Sequence, residues 1–191
     1  MMLEAAIVSF VIAILRGALA NKSELIIIKC WYLFILGLLT QLLPDIFALF
    51  QLDFVAEKLK AHFNYLHLIS YLFILATLLI NIKLHSIKLI LAGTLMNIMV
   101  IFSNSSFMPV SKQAILSINP SKVITSVQLD YKHILIDSKT NLTLFADIIA
   151  VPSWYPVKQV FSIGDIFIAL GVFVLIQKIF CINKSSRNRM G

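Results

Sequence analysis

A chain of 191 residues with 60% hydrophobic and only 13% charged side chains, and a mean hydropathy of +0.94, cannot hydrate its own surface. Soluble domains carry about 25% charged residues for that purpose, so the soluble classes are excluded and lipid is the expected solvent. The net charge of +7 does not mark a nucleic-acid binder, because the basic residues sit between apolar runs rather than among aromatics on a polar domain. No nucleic acid is expected as a partner, and membrane lipids are.

Crossing about 30 Å of hydrocarbon at about 1.5 Å per residue takes about 20 apolar residues. Runs approaching that length lie at about 3–19, 26–50, 63–82, 87–102 and 161–180. They predict an all-α integral membrane protein of about five transmembrane helices, a single membrane domain over residues 1–191. The first run ends in Ala18-Leu19-Ala20, which resembles a signal-peptidase site. However, Glu4 precedes the apolar stretch while Arg16 and Lys22 follow it, the reverse of a signal peptide, so a retained first helix with its N-terminus outside is expected. Arg16 is expected to reach the inner interface along its aliphatic stem, and with Lys22 it is the candidate clamp for a lipid headgroup.

With that start, Lys29, Lys83, Lys88, Lys178, Lys184, Arg187 and Arg189 also fall on the inner side, while the outer connection after the second run has Lys58 and Lys60 offset by Asp53 and Glu57. The bias predicts a multi-pass protein of the cytoplasmic membrane, N-terminus outside and C-terminus cytoplasmic. Cys30 and Cys181 then lie at inner helix ends, where thiols stay reduced, and no disulfide is expected.

The segment 103–160 is too long for a turn and is expected to fold as a compact extracytoplasmic loop. Pro109, Pro120, Pro152 and Pro156 punctuate it, and Ser111 is placed to cap a short helix running to Ile118. Residues 131–136 alternate polar and apolar in the manner of a strand, and Asp137-Ser138-Lys139-Thr140-Asn141 reads as a turn into 142–145, so a small β-hairpin is expected. Trp154 and Tyr155 suit the headgroup layer.

Polar groups inside a bilayer are costly, and their depth is informative. On this topology Asp45 after Pro44, Asn64, His67, Asn104 and Asp165 fall toward the outer helix ends, with Asn97 near mid-span. Asp45, His67, Asn97, Asn104 and Asp165, joined by His133, Asp137 and Asp147 from the loop, are the candidate ligand-binding residues of one outward-facing polar site. The competing reading gives each a structural role: Asn and His bonding to backbone, and Asp165 in the first helical turn complementing the dipole beside a Ser162 cap. Gly164 and Gly171 share a helix face and predict close packing. No G-x-S-x-G, H-E-x-x-H or Walker glycine loop is present. No catalytic set, metal site or identifiable cofactor is therefore expected.

Particular stretches carry a resemblance. Arg16-Gly17, the run from Asn104 through Ser105, Ser106, Phe107, Met108, Pro109 and Val110 to Ser111, Lys132-His133 with Asp137, Thr140, Leu142, Leu144 and Asp147, and Phe161-Ser162-Ile163-Gly164-Asp165 resemble a family of small bacterial multi-span membrane proteins of unknown function. The resemblance implies a bacterial membrane location and assigns no activity to carry across. Glycines are common in that family where Ser105 and Ser106 stand, which implies a turn less permissive of positive φ here.

The leading expectation is a non-enzymatic membrane module that binds a small molecule, a lipid headgroup or a partner protein at the outward-facing site. The alternatives are a membrane-embedded enzyme acting on a lipid-linked substrate, with His133 as acid or base, and a transporter subunit within a larger membrane complex, with Arg16 and Asn97 marking its pathway.

Overall fold

The computed structural model describes residues 2–15, 28–120, 129–152, 155 and 157–181. Arg16 and Lys22, and Trp154 with Pro156, lie outside the described residues. The helices are α1 (Met2–Leu15), α2 (Trp31–Leu49), α3 (Asp53–Ala61), α4 (Phe63–Ile80), α5 (His85–Ser103), α6 (Lys112–Ile118) and α7 (Ile163–Cys181). Among the described residues, α2, α4 and α5 are long and apolar enough to cross a membrane.

Side-chain placement follows the same logic. Large apolar residues such as Leu39, Leu68, Leu72 and Leu170 point outward, while Ser9, Ser70, Thr77, Ser86 and Thr94 are buried between helices. Small and hydroxylated residues let helix backbones approach closely, an arrangement compatible with membrane insertion. The Ser9 hydroxyl donates to the Phe173 carbonyl at 2.9 Å, and Gln177 Nε2 donates to the Ser9 carbonyl at 2.6 Å, tying α1 to α7, whereas the Ser70 and Ser86 hydroxyls have no hydrogen-bond partner among the described residues.

The helices form two tight sets. α2 packs on α4, and α5 packs on α7, which also carries α1; α4 and α5 meet more loosely. The closeness of α5 to α7 depends on glycine, since a side chain at Gly164 would meet the Asn97 amide and the Gly93 carbonyl, and one at Gly171 would meet Ile90 and the Ser86 carbonyl. The packing expected of Gly164 and Gly171 is therefore present. Between the two sets runs an apolar groove.

α3 is an element that the sequence reading left as a plain connection. Asp53 lies in its first turn and Lys58 and Lys60 in its last, charges that complement the helix dipole at both ends.

The segment after α5 contains the short helix expected there. Ser111 accepts a hydrogen bond from the Ala114 amide at 3.3 Å and α6 ends at Ile118. The expected hairpin does not form. Strand β1 (Met108–Val110) pairs in parallel with β2 (His133–Leu135), residues 143–145 form a 3-10 turn, and an antiparallel pair joins β3 (Ile149–Ala150) to β4 (Val160–Phe161). Alternation identified β2 as extended but could not name its partner. The apolar triplet Met108-Pro109-Val110, buried throughout, supplies the edge, and α6 lies in the long crossover that parallel strands need. The Asp137–Asn141 turn is nevertheless real: Asp137 Oδ1 accepts from the Lys139 amide and the Thr140 hydroxyl, each at 2.9 Å.

α5 ends in a left-handed turn. Ser105 and Ser106 have φ of 56° and 69°, and the Ser106 amide returns to the Ile101 carbonyl at 2.9 Å, the longer bond of a Schellman motif. Serine thus occupies the positive-φ geometry despite its Cβ, contrary to the expectation of a turn less permissive of positive φ.

Candidate functional site

Asp165 is positioned by the way α7 begins. The Ser162 hydroxyl accepts from the Asp165 amide at 3.1 Å, and Asp165 Oδ2 accepts from the Ser162 amide at 3.0 Å, a reciprocal capping box with aspartate in the usual glutamate position. Ser162 also donates to Asn97 Oδ1 at 3.0 Å, and Asn97 Nδ2 donates to Asp165 Oδ1 at 2.9 Å. The ring of three side chains locks α7 to α5. Helix capping and membership of a polar site, which stood as alternatives for Asp165, coexist in one side chain.

Asp147 arrives from the folded segment. Its amide donates to the Pro109 carbonyl and its carbonyl accepts from the Ser111 amide, both at 2.9 Å, so the backbone is pinned beside β1. Its side chain is only 8% exposed, and Oδ1 is buried without a hydrogen-bond partner among the described residues. Burial first, and then the Asp165 charge, push its pKa up to about 7, with His133 partly opposing them.

β2 contributes His133, and the residue before it is Lys132, each with its own carboxylate. His133 Nδ1 lies 2.9 Å from Asp130 Oδ2, and the Lys132 and His133 amides donate to Asp130 Oδ1 at 2.6 and 2.7 Å. Burial disfavours the charged form of Asp130, but the bond and charge of His133, with the two amides, bring it down to about 2. Lys132 Nζ lies 3.1 Å from Asp45 Oδ2, and the Tyr131 hydroxyl donates to Asp45 Oδ1 at 2.6 Å. Asp45 thereby latches α2 to the segment carrying β2.

These elements enclose a polar chamber of about 220 Å³, into which His67, Asn97, His133, Asp147 and Asp165 all project from the sequence-derived set. His67 is 6% exposed, stands between the Phe63 and Tyr71 rings at 4.8 and 5.0 Å, and has Nδ1 3.4 Å from the Ser106 carbonyl. The left-handed turn at Ser105 and Ser106 is what carries that carbonyl toward it.

Three expected members lie elsewhere. Asp45 forms the latch just described. Asn104 is structural: its Nδ2 donates to the Val100 and Asn141 carbonyls at 2.8 and 3.0 Å, and its Oδ1 accepts from the Asn141 amide at 2.9 Å. Asp137 belongs to its turn, where the Lys139 amide and then the Thr140 hydroxyl hold its pKa below the usual carboxylate value. Conversely, Gln41, Tyr71 and Lys132 line the chamber and were missed. A glutamine inside an apolar run, and a tyrosine four residues after His67 on the same helical face, were the available signals.

The chamber adjoins the groove between the helix sets, a cavity of about 450 Å³. Gln41, Tyr71, Asn97 and Asp165 line both spaces, and beyond them the walls become apolar, with Phe34, Leu38, Ile74, Ile90 and Ile168. Among the described residues there is no grouping of three or more His, Cys, Asp or Glu side chains suited to a metal ion.

Fold and site together define a helical protein with three membrane-length helices and a polar chamber beside a small folded segment. The chain belongs to a family of unknown function, DUF5317, which matches residues 25–177 and so takes in every chamber-lining side chain named above. It is also similar to an uncharacterised protein of Thermotoga maritima, 28% identical over 174 residues that cover 91% of this chain and 89% of that one. No solved structure matches the chain.

Proposed function

We propose that this protein is a bacterial cytoplasmic-membrane module that binds an amphiphilic molecule, the polar end in the chamber and the tail in the groove between the helix sets. In this reading α1, α2, α4, α5 and α7 are five spans, the N-terminus is outside, the C-terminus is cytoplasmic, and the segment between α5 and α7 is an extracytoplasmic cap. The observation that carries it is that the two cavities share Gln41, Tyr71, Asn97 and Asp165 in their walls, with polar lining on one side and apolar lining on the other. The groove volume of about 450 Å³ falls in the range of small-molecule sites, about 300–1,000 Å³.

The test is native mass spectrometry on protein extracted gently from its own membrane. The expected result is a stoichiometric amphiphile that is lost in Ile35→Trp, which fills the groove from α2. Protein that carries no such molecule, or a molecule kept equally by Ile35→Trp and Gln41→Ala, would defeat the proposal.

A second reading, catalysis on a lipid-linked substrate, is favoured by one observation: His133, Asp147 and Asp165 line the same chamber. Incubating the purified protein with the co-extracted molecule distinguishes the two, since a binding module returns it unchanged.

A further inference from the structure

The charges around the chamber are unequal in a way that specifies its ligand. Four carboxylates, Asp45, Asp130, Asp147 and Asp165, surround two bases, Lys132 and His133, while a third basic side chain of the chamber, His67, has its Nδ1 3.4 Å from the Ser106 carbonyl. Both bases are already engaged, Lys132 by Asp45 at 3.1 Å and His133 by Asp130 at 2.9 Å. Among the described residues neither Asp147 nor Asp165 forms an ion pair, and Asp147 feels only the partial influence of His133.

Their local partners do not make up the difference. Asp165 receives one hydrogen bond on each oxygen, from the Asn97 amide and the Ser162 backbone, donors that bring no positive charge. Asp147 is more than nine-tenths buried and its Oδ1 has no donor among the described residues. A buried carboxylate oxygen without a donor is costly, and a ligand that supplies both a proton donor and a positive charge removes two costs at once. Tyr71 adds an aromatic wall shared by chamber and groove, stacked on His67, and aromatic faces attract cations. A divalent metal fits less well, because no grouping of three or more ligating side chains is present among the described residues.

We infer that the polar end of the bound amphiphile is a protonated amine, seated between Asp147 and Asp165 with its alkyl chain in the apolar groove. The inference rests on the amphiphile reading above and adds the chemical class of the headgroup. An ammonium group offers several donors in a compact volume, enough to reach the open Asp147 oxygen and the remaining acceptor capacity of Asp165. A primary or secondary amine meets this need; a quaternary ammonium, which has no N–H, leaves Asp147 Oδ1 unsatisfied.

The probes are three molecules of identical chain length, dodecylamine, dodecanol and dodecanoate, added at equal concentration to the purified full chain in a non-ionic detergent and read by native mass spectrometry at pH 8. Dodecylamine is expected to bind at least about tenfold more tightly than the alcohol and the carboxylate. Asp147→Asn, which preserves shape and removes charge, is expected to abolish that advantage while leaving alcohol binding within about twofold. Equal binding of amine and alcohol, or a preference for dodecanoate, would overturn the amine assignment and leave the amphiphile reading standing. Absence of binding by all three would overturn the amphiphile reading itself. Since the three-probe comparison is made on the unmodified chain, it decides the matter even where the Asp147 variant fails to fold.

Discussion

Asp147 is the residue whose chemistry departs furthest from its surroundings. Its pKa of about 7 lies well above the ordinary carboxylate value of 3.8, with burial as the main cause. The folded protein therefore holds a proton that the unfolded chain has lost between those two values, and the contribution of this group to stability is present at low pH and declines as pH rises from about 4 to about 7. The whole difference corresponds to about 4 kcal/mol. Thermal unfolding in detergent at pH 5 and pH 8 is expected to show the wild type losing stability relative to Asp147→Asn at the higher pH. A bound amine would reverse part of that loss. Equal pH dependence of the two proteins would mean that Asp147 is solvated.

Ser105 and Ser106 make a different local demand. Both occupy the left-handed region at φ of 56° and 69°, where a Cβ costs about 1 kcal/mol or more per residue. Ser105→Gly is therefore expected to raise the unfolding temperature slightly, because its side chain makes way for the Schellman turn without entering the chamber. The resemblance stated from the sequence implied a turn less permissive of positive φ here, and the conformation corrects that expectation.

At the scale of elements, the helix contacts rest on small residues where the sequence suggested they would. Gly164 faces Gly93 and Asn97, so Gly164→Ala drives a methyl group into the Asn97 amide and the Gly93 carbonyl. Overpacking of this kind costs about 1–3 kcal/mol. Because the displaced amide also bonds Asp165 and Ser162, the same variant is expected to loosen the capping box and open the chamber floor. A melting-temperature loss accompanied by loss of the bound molecule would bear this out; a melting-temperature loss alone would separate packing from the site.

The elements also differ in how far the sequence announced them. α6 was readable in full because a serine cap and an apolar stretch are local signals, and α2, α4, α5 and α7 fall close to their apolar runs for the same reason. α3 was missed since its mean polarity hides a short amphipathic helix behind charged residues. β2 was readable as extended, yet its partner β1 is separated from it by α6 and a long crossover, and nothing in a strand's alternation says which other strand will pair with it.

At the scale of the molecule, two helix sets part to leave a groove, and a small folded segment lies beside the polar chamber. The proposed topology places the whole cap on one side of the membrane. Single cysteines introduced at Lys139 in the cap and at Lys83 between α4 and α5, in a background where Cys30 and Cys181 are replaced by serine, test this in intact cells. A membrane-impermeant maleimide is expected to label position 139 and spare position 83. Labelling of both, or of position 83 alone, would invert or discard the topology.

The sequence by itself determined the outline: a composition this apolar is compatible with membrane insertion, and runs of about 20 apolar residues delimit helices without reference to anything distant. It also named residues whose burial needs explanation, and His67, Asn97, His133, Asp147 and Asp165 do meet in one chamber. Only the tertiary structure decided which polar residues share a space and which are spent on holding the chain in place. Asn104 and Asp165 look alike as polar groups at helix ends, but one is consumed by the Asn141 backbone and the other faces a cavity also lined by Asp147, whose Oδ1 has no donor among the described residues. That distinction depends on contacts between residues tens of positions apart, which side-chain type and spacing do not encode.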